Sequence, residues 1–99
     1  MPEIPKEKNG LLLEYAKKGL TGGVLMALQA GADVNHKDED LRTALHWAAI
    51  NGHDALAQAL LGAGVDVNAK AWDGRTALYY AREYDTREVE ALLLQQGAE

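Results

Sequence analysis

The sequence contains no cysteine, no phenylalanine and only two prolines. The lack of cysteine excludes disulfides, thiolate metal sites and a thiol nucleophile, which fits a reducing compartment or a recombinant protein made without thiols. No apolar stretch is long enough to span a membrane, and the first ten residues, MPEIPKEKNG, lack the apolar core of a secretory signal. We therefore expect a soluble, cytoplasmic protein.

Basic residues are also scarce, with 10 Lys and Arg against 15 Asp and Glu and a formal net charge of −5. The basic side chains are scattered along the chain, whereas binding to nucleic acid requires several phosphates to be neutralised together. A nucleic-acid partner is therefore not expected. Alanine, leucine and glycine are abundant instead, which is typical of closely packed short helices rather than of a sheet-rich core.

The most informative stretch is TALHWAAINGH, residues 43–53, because a related stretch, TALYYAREYDT, begins at Thr76, thirty-three residues later. A second signature has the same spacing: GADVN begins at Gly31, GVDVN begins at Gly64, and the chain ends in GAE from Gly97. A fixed period of this length is typical of arrays in which short units stack, because one unit cannot bury its apolar face alone.

The period divides a single domain, residues 1–99, into three units at about 10–37, 38–70 and 71–99. A chain of this length buries roughly two-thirds of its unfolded surface, so it can fold without disulfides. Residues 1–5 contain both prolines, and we expect them to be frayed.

Each unit is predicted to contain two short helices. Thr43 can accept hydrogen bonds from free amides at a helix N-terminus, and Gly52 can end the same helix with a positive φ. Asp85 stands at the position of Gly52 in the third unit, where a left-handed backbone carries a modest cost. The predicted helices cover residues 11–18, 21–30, 44–51, 54–62, 77–84 and 87–96. Helical periodicity predicts core positions at Leu45, Ala48, Ala49, Leu56, Leu60, Leu61, Val89, Leu92 and Leu93.

Between the helix pairs, residues 32–42 and 65–75 each contain Asp-Val-Asn followed by turn-forming residues. We predict extended, hairpin-like fingers with little regular strand, each anchored by one apolar side chain, Val34 or Val67.

A 33-residue unit with Thr-Ala-Leu-His-x-Ala-Ala, a glycine between two helices and Gly-Ala-Asp-Val-Asn before a finger resembles the ankyrin repeat. The resemblance implies an all-α solenoid of three helix-turn-helix units with hairpin-like finger loops, and a non-catalytic protein that binds other proteins. It also implies that Thr43 and Thr76 cap the inner helices and that His46 ties neighbouring loops together. Leu41 stands where the family prefers a finger glycine, so we expect a distorted tip there.

No catalytic or metal-binding motif is evident. The spacing of His36, His46 and His53 fits no compact metal site, which favours structural roles for them. The carboxylates of residues 37–40 lack the glycine and the later glutamate of a calcium loop. A Gly-rich phosphate loop, a catalytic triad and paired catalytic carboxylates are also missing. We predict a non-enzymatic protein with no cofactor, no metal and no small-molecule substrate.

One candidate binding surface follows from the family resemblance: the concave face of the fingers and inner helices. Trp, Tyr and Arg dominate interface hot spots, which favours contact with another protein near Trp72, Arg75 and Tyr84. Trp47 and Tyr80 are interpreted as filling gaps between helices. The predicted concave residues are Glu39, Asp40, Arg42, Ile50, Asn51, Trp72, Asp73, Arg75, Glu83 and Tyr84.

The other candidate surface is the convex face of the outer helices, where units one and two carry almost no charge. Small residues on an exposed helix permit close approach of another helix, and exposed apolar patches mark contacts. We predict a two-fold homodimer through this face, with a monomeric binder that uses the concave face as the alternative. The lack of charge and cysteine would also fit an engineered or idealised protein. The predicted convex residues are Gly22, Leu25, Met26, Gln29, Ala55, Gln58, Ala59 and Gly62.

Overall fold

The computed structural model describes residues 8–99, and within this range the chain forms six α-helices and no strand. The all-α prediction is confirmed, while the expectation of frayed residues 1–5 falls outside the described range. The helices are α1 (Lys8–Lys18), α2 (Thr21–Gln29), α3 (Ala44–Asn51), α4 (Asp54–Gly62), α5 (Ala77–Glu83) and α6 (Arg87–Gln95). Only α1 departs clearly from its predicted bounds, because it begins three residues earlier than expected.

Residues next to the helix ends explain where α3 and α5 begin and end. The Thr43 hydroxyl accepts a hydrogen bond from the His46 amide at 3.5 Å, and Thr76 does the same for the Tyr79 amide at 3.3 Å. Both predicted N-caps are therefore confirmed. Gly52 ends α3 with φ 71°, and Asp85 adopts φ 57° at the equivalent turn after α5. The third helix pair thus keeps the same turn without glycine.

The helices pack in two rows. The inner row contains α1, α3 and α5, the outer row contains α2, α4 and α6, and the two helices of each pair also pack together. Leucines fill the space between the rows, while alanines allow close approach between neighbouring helices. Fully buried core side chains include Leu12, Leu45, Ala48, Ala49, Leu56, Leu60, Val89 and Leu93. Two predicted core residues, Leu61 and Leu92, are only half-buried at its edge.

The two fingers have the same hydrogen bonds at their tips. In the first finger, the Leu41 amide donates to the Asp38 carbonyl at 2.9 Å and the Asp38 amide donates to the Arg42 carbonyl at 3.0 Å. The second finger repeats both bonds from Gly74 to Ala71 and from Ala71 to Arg75, each at 2.9 Å. Leu41 has φ 59°, close to the φ of 81° at Gly74. The expected distortion at Leu41 is therefore wrong, because leucine adopts the glycine conformation there.

Side chains also tie each helix pair to the next. The Asn35 side-chain oxygen accepts from the Asp66 amide at 2.7 Å, and Asn68 accepts from the Glu99 amide at 3.0 Å. The asparagine of each Asp-Val-Asn motif thus holds the backbone of the following repeat. At the helix turns, the His53 ring covers Gly19 so closely that a Cβ there would lie 2.6 Å from it.

Candidate protein-binding faces

His46 links α3 to the second finger and sets the geometry of the inner helices. Its Nδ1 atom accepts from the Thr43 amide at 3.0 Å, and its Nε2–H donates to the Arg75 carbonyl 3.1 Å away. Together these bonds require the neutral ring with its proton on Nε2. The side chain is 1% exposed, and its burial lowers the pKa of His46 below the ordinary value. The linking role implied by the family resemblance is confirmed.

The inner-helix face comprises the exposed surfaces of α1, α3 and α5 together with the two fingers, and it corresponds to the predicted concave face. At its centre the Arg42 guanidinium lies between two aromatic rings, 5.3 Å from the Trp47 centroid and 5.4 Å from the Tyr80 centroid. The Lys17 ammonium lies 5.0 Å from the same Trp47 centroid. Cations and rings therefore alternate across all three inner helices, from Lys17 to Tyr80.

Two Asp-x-Arg sequences, one in each finger, place their charges in opposite ways. In the second finger Asp73 is turned inward, with its side chain 19% exposed, while Arg75 is 47% exposed and lies 3.4 Å from the carboxylate. In the first finger Asp40 is 59% exposed and Arg42 is turned inward at 24%, with 3.9 Å between them. The inward-facing side chain is thus the carboxylate of Asp73 in the second finger and the guanidinium of Arg42 in the first.

The hydrogen bonds of Asp73 account for its inward position. Its carboxylate accepts from the Tyr80 hydroxyl at 3.4 Å and from the Arg75 amide at 3.2 Å. In the first finger, Trp47 stands at the position of Tyr80 and has no hydroxyl to donate to Asp40. The indole Nε1–H donates instead to Asp38, 3.2 Å away.

Several predicted concave residues lie together on the inner-helix face. The Trp72 amide donates to the Asp40 carbonyl at 2.9 Å, which joins the tips of the two fingers. Tyr84 lies beside Tyr80, with 6.4 Å between the ring centroids. Both Trp72 and Tyr84 are exposed, at 66% and 54% of their surfaces.

The remaining predicted concave residues differ in their exposure and contacts. Ile50 is half-buried and packs against the core, while Glu39 and Glu83 are exposed. Asn51 donates to the Lys17 carbonyl at 3.2 Å, so it also helps to join α1 to α3. The predicted concave residues did not include Lys17. Lys17 lies one 33-residue period before Ile50, which was included, so the spacing could have identified it.

Tyr80 is 3% exposed and packs edge-on against the His46 ring at 5.6 Å, which fits the gap-filling role expected of it. Trp47, in contrast, is half-buried and shares its ring with both Lys17 and Arg42. Its ring therefore also contributes to the inner-helix face.

The outer-helix face comprises the outward surfaces of α2 and α4, which lie side by side, and it corresponds to the predicted convex face. Leu25 and Met26 on α2 are 43% and 71% exposed, and Leu20 beside them is exposed as well. Of the eight predicted convex residues, Ala59 is half-buried and the other seven are exposed. Asp54, in the first turn of α4, carries the one formal charge in these two helices.

The two glycines at the start of α2 have different surroundings. A Cβ at Gly23 would lie 2.8 Å from the Tyr15 ring of α1, so this glycine allows the first helix pair to pack closely. A Cβ at Gly22 would meet nothing within 4 Å, so no contact within the described residues explains the glycine there. Gly22 and Gly62 both face open space on the outer-helix face.

The other histidines have no shared metal geometry. Among residues 8–99, no group of three or more His, Asp or Glu side chains could hold a metal ion. His53 packs over Gly19, and half-buried His36 lines a shallow cleft between α1 and the first finger.

None of the six helices is long and apolar enough to cross a membrane.

Known proteins resemble parts of this chain. A 60-residue stretch, 60% of the chain, is 36% identical to acyl-CoA-binding domain-containing protein 6 of Bos taurus and covers 21% of that protein. A 47-residue stretch, 48% of the chain, is 38% identical to acyl-CoA-binding domain-containing protein 1 of Arabidopsis thaliana and covers 14% of it. The chain therefore spans about a fifth or less of the length of these relatives.

A family model described as ankyrin repeats in three copies matches residues 12–99. The match fills nearly the whole described chain, so the similarity to the two relatives lies mainly in the repeats. Such repeats generally mediate protein–protein interactions and are generally scaffolds without catalytic activity. The three helix pairs, the two threonine caps and the His46 link agree with this match. The chain therefore belongs to the ankyrin-repeat family.

Proposed function

We propose that this chain is a non-enzymatic protein-interaction scaffold that forms a homodimer through its outer-helix face. The observation that carries the proposal is the exposure of Leu25 and Met26 on α2, next to α4, in which Asp54 of the first turn is the one charged residue. Its partners are proteins, with no role for nucleic acid, membrane or a small-molecule substrate.

The shape of the outer-helix face supports pairing between helices. Ala55, Ala59 and Gly62 follow one another at helical spacing along α4, and the absence of large side chains permits close approach of a second helix. Leu25 and Met26 would supply apolar area beside that contact, at roughly 25 cal/mol for each Å² removed from water. A two-fold arrangement would bring the same patch of both copies together and leave no open edge.

The mass in solution tests this proposal. Size exclusion with light scattering should give the mass of a dimer at high micromolar concentration for the wild-type protein. Ala55→Arg places a charge in the centre of the contact and should halve the mass while the circular dichroism spectrum stays unchanged.

Glu88 is the matched control, because it stands one period after Ala55 on α6 and is exposed outside the patch. Glu88→Arg should leave the dimer intact. A wild-type protein that stays monomeric at high micromolar concentration would contradict homodimerisation.

A second candidate function, binding of another protein through the inner-helix face, is favoured by the exposed Trp72 and Tyr84. Exposed Trp and Tyr side chains beside arginine are typical of interface hot spots. Trp72→Ala and Tyr84→Ala should abolish capture of a partner in a pull-down with the wild-type protein as reference. Both variants should retain the wild-type oligomeric state, because they lie away from the outer-helix face.

A further inference from the structure

Arg42 is the arginine on which the inner-helix face is centred, and its guanidinium lacks a close carboxylate, although the nearby Tyr80 hydroxyl raises the pKa of Arg42. Within residues 8–99 its Nε atom is buried without a hydrogen-bond partner. The nearest approach to a carboxylate is 3.9 Å, from Nη1 to Asp40, which exceeds the length of a hydrogen bond. About a quarter of the side chain, 24%, remains exposed, so the part of the guanidinium away from Nε is open to a ligand.

The neighbouring carboxylates are used elsewhere. Asp38 accepts the amides of Asp40 and Arg42 with one oxygen, at 2.8 and 3.0 Å, and the Trp47 indole with the other. Asp73 accepts from Tyr80 and lies against Arg75. A carboxylate acceptor for Arg42 can therefore come only from outside the described residues or from a movement of Asp40 toward it.

A protein that covers this face would remove water from the Arg42 guanidinium. An ionised group that is buried without an acceptor loses its hydration, and each unsatisfied charged donor weakens binding by more than a neutral one. A bound carboxylate satisfies the guanidinium with two parallel hydrogen bonds, which are the strong kind in proteins. The flanking rings of Trp47 and Tyr80 hold the guanidinium in place, so little side-chain entropy is lost on binding.

We propose that a protein partner seated on the inner-helix face supplies an aspartate or glutamate whose carboxylate binds Arg42 between Trp47 and Tyr80. This inference rests on the second candidate function, because it needs the inner-helix face to be the binding surface. Lys17, whose ammonium lies 5.0 Å from the Trp47 centroid, adds a second positive charge to the site. Trp72 and Tyr84 contact apolar residues of the same partner.

The local charges favour a carboxylate over a phosphate. Arg42 and Lys17 supply two positive charges, but Asp38 and Asp40 stand beside Arg42 and reduce the potential there. A singly charged carboxylate meets less repulsion from these groups than a phosphate with nearly two charges. The group that the partner supplies is therefore a carboxylate rather than a phosphate.

Synthetic antibody fragments provide a defined set of protein partners for the test. Fragments are selected on the wild-type protein, and those that also bind the Trp72→Ala/Tyr84→Ala double variant are removed, which leaves binders of the inner-helix face. Arg42→Gln should raise their Kd about tenfold or more, because it removes the charged partner of a buried carboxylate. Changing the fragment's contacting Asp or Glu to its amide should have the same effect on wild-type protein and none on Arg42→Gln.

Arg75→Gln is the matched control, since Arg75 stands one period after Arg42 and already lies against Asp73. It should change the Kd less than Arg42→Gln does, and thermal melts should show that both variants remain folded. Fragments that need Trp72 and Tyr84 but bind Arg42→Gln as tightly as wild type would overturn the carboxylate site alone. Failure to obtain any fragment that depends on Trp72 or Tyr84 would overturn the inner-helix face as a binding surface, and the carboxylate site with it.

Discussion

The second and third helix pairs have the same backbone arrangement, but different side chains stand at equivalent positions. His46 and Tyr79 both stand four residues into their motif, yet His46 is buried and bonded at both ring nitrogens, whereas Tyr79 is 41% exposed. Arg42 lies between two rings, whereas Arg75 covers the Tyr79 ring from outside, 4.5 Å from its centroid. The period therefore fixes where a side chain stands but leaves its role to the neighbours.

The difference between the pairs follows from what packs beside them. The inner helix α3 has α1 on one side and α5 on the other, so its polar side chains must find partners within the protein. Helix α5 packs against α3 on one side only within the described residues, and the side chains of Tyr79 and Arg82 remain in contact with water. Stability should therefore depend much more on the polar residues of α3 than on their equivalents in α5.

The largest expected effect comes from His46→Ala. It should lower the free energy of unfolding by about 2–4 kcal/mol, because it empties a buried site, leaves the Thr43 amide without its partner and removes one of the two hydrogen bonds of the Arg75 carbonyl. Urea unfolding followed by circular dichroism measures the change.

Tyr79→Ala is the control at the equivalent position. It removes an exposed ring and its contact with Arg75, so the loss should be no more than about 1 kcal/mol. Equal losses in the two variants would show that the period alone, and not the neighbouring helix, determines the energetic role of this position.

The pH dependence of stability should sharpen the same difference. Burial lowers the pKa of His46 in the folded protein, so the unfolded chain binds a proton more readily as pH falls. Stability is therefore complete above the unfolded pKa of about 6.5 and declines below it, by at most about 1.4 kcal/mol per pH unit from this group. Protonation would also break the bond from the Thr43 amide to Nδ1.

Urea midpoints between pH 7.5 and pH 5 measure this decline. His46→Gln should be less stable at neutral pH and should lose less stability than the wild type on acidification. The exposed Tyr79 has no such role, so Tyr79→Phe should follow the wild-type curve. A wild-type midpoint that is constant over this range would contradict the requirement for a neutral His46.

The sequence predicted the helices well because their limits depend on local signals. A threonine before a helix and a glycine after it act within one turn, so these signals placed both ends of α3 and the start of α5. The 33-residue period then placed α4 and the end of α5 within a residue or so. The His46 link was also expected, through the family resemblance. The proposed boundaries between the three units remain a prediction.

Features that depend on distant neighbours were not predictable in this way. Arg42 turns inward because the rings beside it come from α3 and α5, and its own finger contains no sign of this. Gly23 is required by the Tyr15 ring of the preceding helix, whereas no such neighbour lies near Gly22. Pairing through the outer-helix face and binding through the inner-helix face depend on partners, so they stay predictions.

The smallest expected effect concerns the two finger tips. Leu41 and Gly74 share a left-handed backbone, which costs leucine about 1–2 kcal/mol but costs glycine little. Leu41→Gly should therefore raise the free energy of unfolding by about 0.5–1 kcal/mol, after the greater entropy of glycine in the unfolded chain is counted. Gly74→Ala should lower it by about 1 kcal/mol through backbone strain alone, because a Cβ there meets nothing within 4 Å. Urea unfolding of both variants tests this prediction. If Leu41→Gly were destabilising, the exposed leucine would have to make contacts that outweigh its strain, and the two tips would differ in energy despite their shared backbone hydrogen bonds.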